Sequence, residues 1–136
     1  MSNPDIRARI VRVARIGLAW IALTNYWVLV RICPRIVLGA ARQGACQPRS
    51  SASQLAAMRD VVSAVDRAAS LHPLRPFCLE RALTCRWLLA LHGHDARVAI
   101  GVTKRRTMVE AHAWVEIGSF SNDAARAEFT TLTHLS

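Results

Sequence analysis

The chain has 136 residues, a hydrophobic fraction of 52% and a formal net charge of +9. This length fits one compact domain with at most an appended segment, and this apolar content excludes an intrinsically disordered chain. The charge is almost wholly arginine (Lys104 is the only lysine), is spread thinly and carries no homeodomain, zinc-finger or RNA-recognition signature, so nucleic acid is not expected as a partner.

Arg7, Arg9, Arg12 and Arg15 alternate with apolar residues, and residues 16–30 then carry no charge. A basic segment before an apolar one resembles a signal peptide, but Arg31-Ile32-Cys33-Pro34-Arg35 follows in place of a small-residue cleavage site. A spanning helix needs about 20 apolar residues, more than this run supplies with Thr24 and Asn25 inside it. The segment predicts a buried or interfacial helix, with Trp20, Tyr26 and Trp27 suited to either setting and the arginines able to meet anionic lipid. Pro34 ends it, a short apolar piece covers Ile36 to Ala41, and residues 43–53 read as a linker. The expected division is a basic, hydrophobic helical extension over 1–50 and a core over 51–136.

Within that core, Ser53 is a candidate N-cap for a helix over about 54–70, with Leu55, Met58, Val62, Val65 and Ala69 on one face. His72-Pro73-Leu74-Arg75-Pro76 closes this helix and makes a rigid approach to the next, Cys78 to His92, which Gly93 caps. That second helix is charged only at Glu80, Arg81 and Arg86, so burial on most sides is expected. Two strands follow, Arg97–Val102 and Glu110–Ile117, with Lys104–Thr107 as the loop between them. Alternation sets His112 and Trp114 on one face and Val115 and Ile117 on the other. Gly118-Ser119 turns the chain toward a third short strand bearing Asn122 and Asp123.

Chemistry concentrates on three residues. Cys78 opens a helix, where unpaired N–H groups and the helix dipole favour thiolate over thiol. A thiolate nucleophile needs an imidazole to exchange its proton, and the imidazole needs an acceptor to fix its tautomer. His112 on one strand and Asp123 on the next supply these types in an order that a helix across an antiparallel sheet can assemble. The same cysteine would be inert as a plain core residue. Cys33, Cys46, Cys78 and Cys85 form no CxxC pair, and Cys78 and Cys85 are about 10.5 Å apart along one helix, too far for a mutual disulfide. Four reduced thiols and a cytoplasmic location, with a peripheral place at the inner face of the membrane as its variant, are expected.

These residues also carry a resemblance. Cys78-Leu79-Glu80-Arg81-Ala82-Leu83, Arg97-Val98-Ala99-Ile100-Gly101-Val102 and Glu110-Ala111-His112-Ala113-Trp114-Val115-Glu116, then Asn122-Asp123, resemble the B2 leader peptidases of lasso-peptide biosynthesis over about residues 53–135. The resemblance implies an α+β, transglutaminase- or papain-like core, in which a central helix bearing the cysteine packs against a small antiparallel sheet behind an N-terminal helical extension. It implies a cysteine peptidase that removes the leader from a ribosomally made precursor, with Cys78 as nucleophile, His112 as base and acid, and Asp123 orienting it. The turn before Asp123 is one residue shorter than the family's, so Asn122 is the alternative orienting group. No cofactor and no metal are implied. The implied partners are the precursor peptide, a small leader-binding B1 protein and an ATP-dependent lasso cyclase, with residues 1–31 as a candidate contact for a membrane surface. Another acyl transfer on the same fold is a sister reading. A non-catalytic adaptor or membrane-surface scaffold is the alternative from a different class.

Other residues read more plainly. Cys85 is expected in the core, and His92 and His94 beside Gly93 as surface or capping groups. Trp114 is a candidate screen for the His112–Asp123 pair, and Arg81 a surface or salt-bridging residue. Glu110 and Glu116 share the His112 side, and the basic loop 104–106 is either solvated or a contact for an acidic leader.

Overall fold

The computed structural model describes residues 4–32, 52–122 and 127–135. Three helices, α1 (Pro4–Ile32), α2 (Ala52–Ser70) and α3 (Cys78–Leu91), precede four strands, β1 (Arg97–Arg105), β2 (Met108–Ile117), β3 (Phe120–Ser121) and β4 (Thr130–Leu135). The strands form one antiparallel sheet in the order β3-β2-β1-β4. The α+β class expected from the sequence is the one adopted, with the cysteine-bearing helix α3 packed on the sheet.

One apolar core holds the elements together. Met58, Val61 and Val65 of α2, Leu83, Leu88 and Leu89 of α3, and Val98, Val115 and Ile117 of the sheet are all buried within it. Burial of each such side chain contributes about 1.5–3 kcal/mol. Leu23 and Ala19 of α1 are fully buried in the same cluster, with Ile16 and Tyr26 packed against it. α1, the described part of the extension expected over 1–50, is seated on the core through one face, while the proposed boundary falls among residues outside those described. The buried face of α2 is also broader than a single stripe: Val61, Ala64 and Ala68 are buried beside Met58 and Val65, because α2 lies against both α1 and α3.

Polar contacts register α1 on this core. Thr24 donates its hydroxyl to the Trp20 carbonyl at 3.0 Å and lies 2.8 Å from Nε2 of the buried His72. With its own proton committed, Thr24 can only accept, so Nε2 carries the histidine's proton. Nδ1 then accepts the Leu74 N–H at 3.2 Å, and both ring nitrogens of a neutral imidazole are used. Trp20 covers the same ring at a centroid distance of 5.0 Å. Farther along α1, Arg15 pairs with Asp60 of α2 at 3.2 Å.

The outward face of α1 is apolar as well: Ile6, Ile10, Val13, Trp20, Ile21 and Val28 are exposed and recur at helical spacing. Among the described residues no helix is long and apolar enough to cross a membrane.

The sheet divides its side chains cleanly. Cross-strand pairs Val98–Val115 and Ile100–Ala113 face the helices, whereas Ala99–Trp114 and Gly101–His112 share the other face. The strands run longer than the sequence suggests. β1 continues through Lys104 and Arg105, and the hairpin closes on the two-residue turn Arg106-Thr107, with Arg106 at φ +54°. The third strand is Phe120–Ser121, Asn122 follows it, and β4 was not expected.

Candidate active site

The approach to Cys78 is built by the chain before it. After α2, the Arg75 N–H donates to the His72 carbonyl at 3.3 Å, closing a turn, and Arg75 takes the left-handed conformation at φ +44°. Pro76 then fixes the backbone, and Phe77 is extended with no side-chain bond to cap α3. The first bond at the head of α3 runs from the Arg81 N–H to the Phe77 carbonyl at 3.2 Å. The N–H groups of Cys78, Leu79 and Glu80 thus stand outside the helical ladder, beside the half-buried thiol of Cys78.

Cys78 and His112 line one cavity of about 200 Å³ between α2, the head of α3 and strand β2. Asp66, Arg81, Cys85 and Asn122 complete its polar rim, and Val62, Val65 and Ala82 give it an apolar floor. Both sequence-predicted residues thus border one cavity, while the His112 ring itself packs on Trp114 and Phe129 at the sheet face turned away from the helices. Asp123 lies outside the described residues, and its neighbour Asn122 reaches the cavity. The Asn122 Oδ1 accepts the Val115 N–H at 2.8 Å, and its own N–H donates to the Val115 carbonyl at 3.1 Å. Its side-chain oxygen is thus engaged by the main chain of β2, extending the short β2–β3 ladder.

His112 is set by an aromatic platform. Its ring stacks on Trp114 at 6.2 Å and 26°, and meets Phe129 at 5.3 Å. Trp114 is 1% exposed and donates its Nε1–H to Glu116 at 2.9 Å, which fixes the indole in its plane. Gly101, directly across from His112, permits this arrangement. A Cβ there would lie 2.8 Å from Cη2 of Trp114 and 3.0 Å from Cβ of Phe129.

The two described cysteines differ chemically. Burial pushes the Cys85 thiol up to about 12, Asp66 adds to the shift, and Arg81 opposes it. Cys85 is 2% exposed, so it is a neutral core thiol, as expected, although it reaches the cavity wall. Asp66 and Arg81 form an ion pair across the rim. Both are half-exposed, so the pair stabilises the fold by well under 1 kcal/mol, and its main effect is to hold a guanidinium and a carboxylate beside the thiol.

The chain belongs to the transglutaminase-like superfamily. That family's model matches residues 19–134, which takes in the C-terminal half of α1, both other helices and the sheet but for the last residue of β4. No curated protein and no solved structure gave a significant match. In this transglutaminase-like chain the other sequence-marked residues have ordinary tasks. His92 donates Nδ1–H to the Leu88 carbonyl at 2.7 Å at the end of α3. Glu110 pairs with Arg105, which also meets Glu128, so the basic hairpin loop is partly neutralised within the chain. Among the described residues no three His, Cys, Asp or Glu side chains gather into a metal set.

Two features escaped sequence reading. Asp66 reaches the cavity because it lies one turn beyond Val62 on α2, an i,i+4 relation that becomes informative once Val62 is known to border the site. Glu80, in the first turn of α3, is 3% exposed, and its Oε2 has no hydrogen-bond partner among the described residues. A carboxylate there is favoured by the helix dipole, but its burial has no signature in the sequence.

Proposed function

We propose that this protein is a cysteine peptidase that releases the leader from a ribosomally made precursor of the lasso-peptide type. The observation that carries the reading is the meeting of Cys78 and His112 in one cavity at the uncapped head of α3. The Cys78 thiolate attacks the scissile carbonyl, and the free N–H groups at the start of α3 stabilise the oxyanion. His112, having taken the thiol proton, gives it to the departing amine as the C–N bond breaks, leaving a thioester. Water then attacks the thioester, its proton passes to His112, and the carboxylate of the leader departs as the thiol is restored. Asp123 orients the imidazole in this scheme. The partners in this reading are the precursor, a small leader-binding B1 protein, and an ATP-dependent cyclase that takes up the freed core peptide.

The test is mass spectrometry of the precursor incubated with this chain and the leader-binding protein. A single leader-length fragment is expected from wild type, none from Cys78→Ala or His112→Ala, and less from Asp123→Ala. Cleavage that persists in Cys78→Ala would sink the nucleophile assignment. A folded, partnered wild type that cleaves nothing would favour the non-catalytic adaptor.

The outward apolar stripe of α1 supports a peripheral location at the inner face of the membrane. Arg7 and Arg9 flank the stripe of Ile6, Ile10 and Val13, a pattern that suits an anionic bilayer surface. Co-sedimentation with phosphatidylglycerol vesicles, lost in Ile10→Glu/Val13→Glu, is the expected result. Equal recovery of this variant and wild type with the vesicles would refute it.

A further inference from the structure

A groove of about 550 Å³ runs between the N-terminal half of α1 and α2. Arg7, Arg12 and Arg15 of α1 and Arg67 of α2 line it, against a single carboxylate, Asp60, which is already paired with Arg15. Val11 and Ala64 supply apolar wall between the guanidinium groups. The Nε of Arg15 is buried and donates to no acceptor among the described residues. The groove thus combines excess positive charge, an unused buried donor and apolar contact.

Its position adds a second observation. Ser63 and Arg67 also line a neighbouring cavity of about 510 Å³, which holds Arg59 as well. Val62, Asp66 and Asn122 of that cavity in turn line the one containing Cys78 and His112. The three depressions are joined end to end around the surface of α2. Successive linings move round the helix through roughly half a turn. For a helix about 11 Å across, that path is about 17 Å, the reach of about five residues of extended chain.

We infer that this groove is a binding site for an acidic segment of the peptide substrate, placed about five residues from the bond that Cys78 attacks. The inference rests on the peptidase reading for the origin of its ligand. Guanidinium groups bind carboxylates in forked, charge-assisted pairs, and three of the four lining arginines have no carboxylate partner among the described residues. A peptide suits the site better than a nucleic acid. The groove offers small aliphatic walls and no aromatic face for a base to stack on, and it leads to a thiol and an imidazole suited to acyl chemistry.

The probe is fluorescein-labelled hexaglutamate, titrated into the full-length protein by anisotropy, with hexaglutamine and a labelled twelve-residue oligothymidylate alongside. Arg12 and Arg67 are exposed, so Arg12→Gln/Arg67→Gln should fold normally, and Arg105→Gln on the far hairpin is the control. Hexaglutamate is expected to bind at least tenfold tighter than hexaglutamine, to lose at least tenfold in the double variant, and to be unaffected by Arg105→Gln. Equal binding of hexaglutamate and hexaglutamine, or an unaltered double variant, overturns the inference. So does an oligothymidylate that binds through the same arginines while hexaglutamate does not. Hexaglutamate held by the groove in a protein that cleaves no precursor would leave the site standing and remove the peptidase reading. Cleavage whose KM ignores both the double variant and acidic residues near the fifth position would do the reverse.

Discussion

Alanine at three glycines should produce three different results, and their contrast tests the aromatic platform under His112. At Gly101 the new methyl would meet Trp114 at 2.8 Å and Phe129 at 3.0 Å. Neither neighbour can yield easily: Trp114 is 1% exposed and held by Glu116, and the Phe129 atom concerned is its Cβ, tied directly to backbone. Overpacking of this kind costs about 1–3 kcal/mol. For a chain of 136 residues, an unfolding entropy of about 2.1 cal/mol/K per residue converts this to a Tm lower by roughly 3–10 °C. Gly17 lies within α1 with nothing within 4 Å of its would-be Cβ, so Gly17→Ala should stabilise by about 0.4–1 kcal/mol. Gly93 has equal space but stands at φ +76°, so Gly93→Ala should lose about 1–2 kcal/mol to backbone strain alone. Thermal melts should place Gly17→Ala above wild type and both Gly93→Ala and Gly101→Ala below it. Near-UV circular dichroism should change only in Gly101→Ala, because only there does an indole move. A Gly101→Ala protein with wild-type Tm and near-UV spectrum would refute the packing account, and with it the claim that Gly101 sets the His112 ring.

Two other perturbations read different parts of the molecule. Iodoacetamide followed by peptide mapping should label Cys78 in the native protein near neutral pH and reach Cys85 only after unfolding, because Cys85 is buried with its thiol pushed up to about 12. A folded-state value above the ordinary 9.0 means that the fold favours the neutral thiol, so this contribution is fully present below pH 9 and fades as pH rises toward 12. The stability gap between wild type and Cys85→Ala, measured by urea unfolding, should therefore narrow above pH 9; a gap that widens would reverse the assigned sign. Thr24→Val removes the acceptor for the Nε2–H of buried His72 and should cost about 1–3 kcal/mol. In a double-mutant cycle with His72→Ala that cost should largely disappear, whereas additive losses would mean that the two side chains do not support one another.

The sequence made the local elements legible where punctuation and period agree. Pro73 and Pro76 separate α2 from α3, Gly93 closes α3 at a positive φ, and alternation assigned the two faces of β2. What stayed hidden depends on contacts distant in sequence. β4 (Thr130–Leu135) is a mixed polar segment that pairs with β1 on the far side of the sheet from β3, with a bulge at Ile100/Gly101, and no local pattern announces such a partner. Lys104 and Arg105 read as loop because they are charged, yet a hairpin arm projecting into solvent carries charge readily. In the site, Cys78 and His112 are marked in the sequence by a helix start and a strand motif, and both line one cavity. Asp66 and the structural task of Asn122 needed the packing of α2 against β2 and β3 to be known.

The least legible property was the distribution of charge. Along the chain the arginines are separated by apolar residues and look like a thin solvated coat. In space, Arg7, Arg12 and Arg15 fall on the side of α1 that meets α2, where Arg67 joins them in the same groove. That convergence requires α1 to be docked in one rotation, although its inner and outer faces are both apolar. The rotation is chosen by few contacts: Ala19 and Leu23 in the core, the Thr24–His72 bond, and the Arg15–Asp60 pair. Apolar burial supplies most of the docking energy but discriminates weakly between two apolar faces, whereas a buried histidine left without its Thr24 acceptor would destabilise the wrong rotation by about 1–3 kcal/mol. A polar contact remote from Cys78 thus sets which arginines face α2 and which apolar residues face outward.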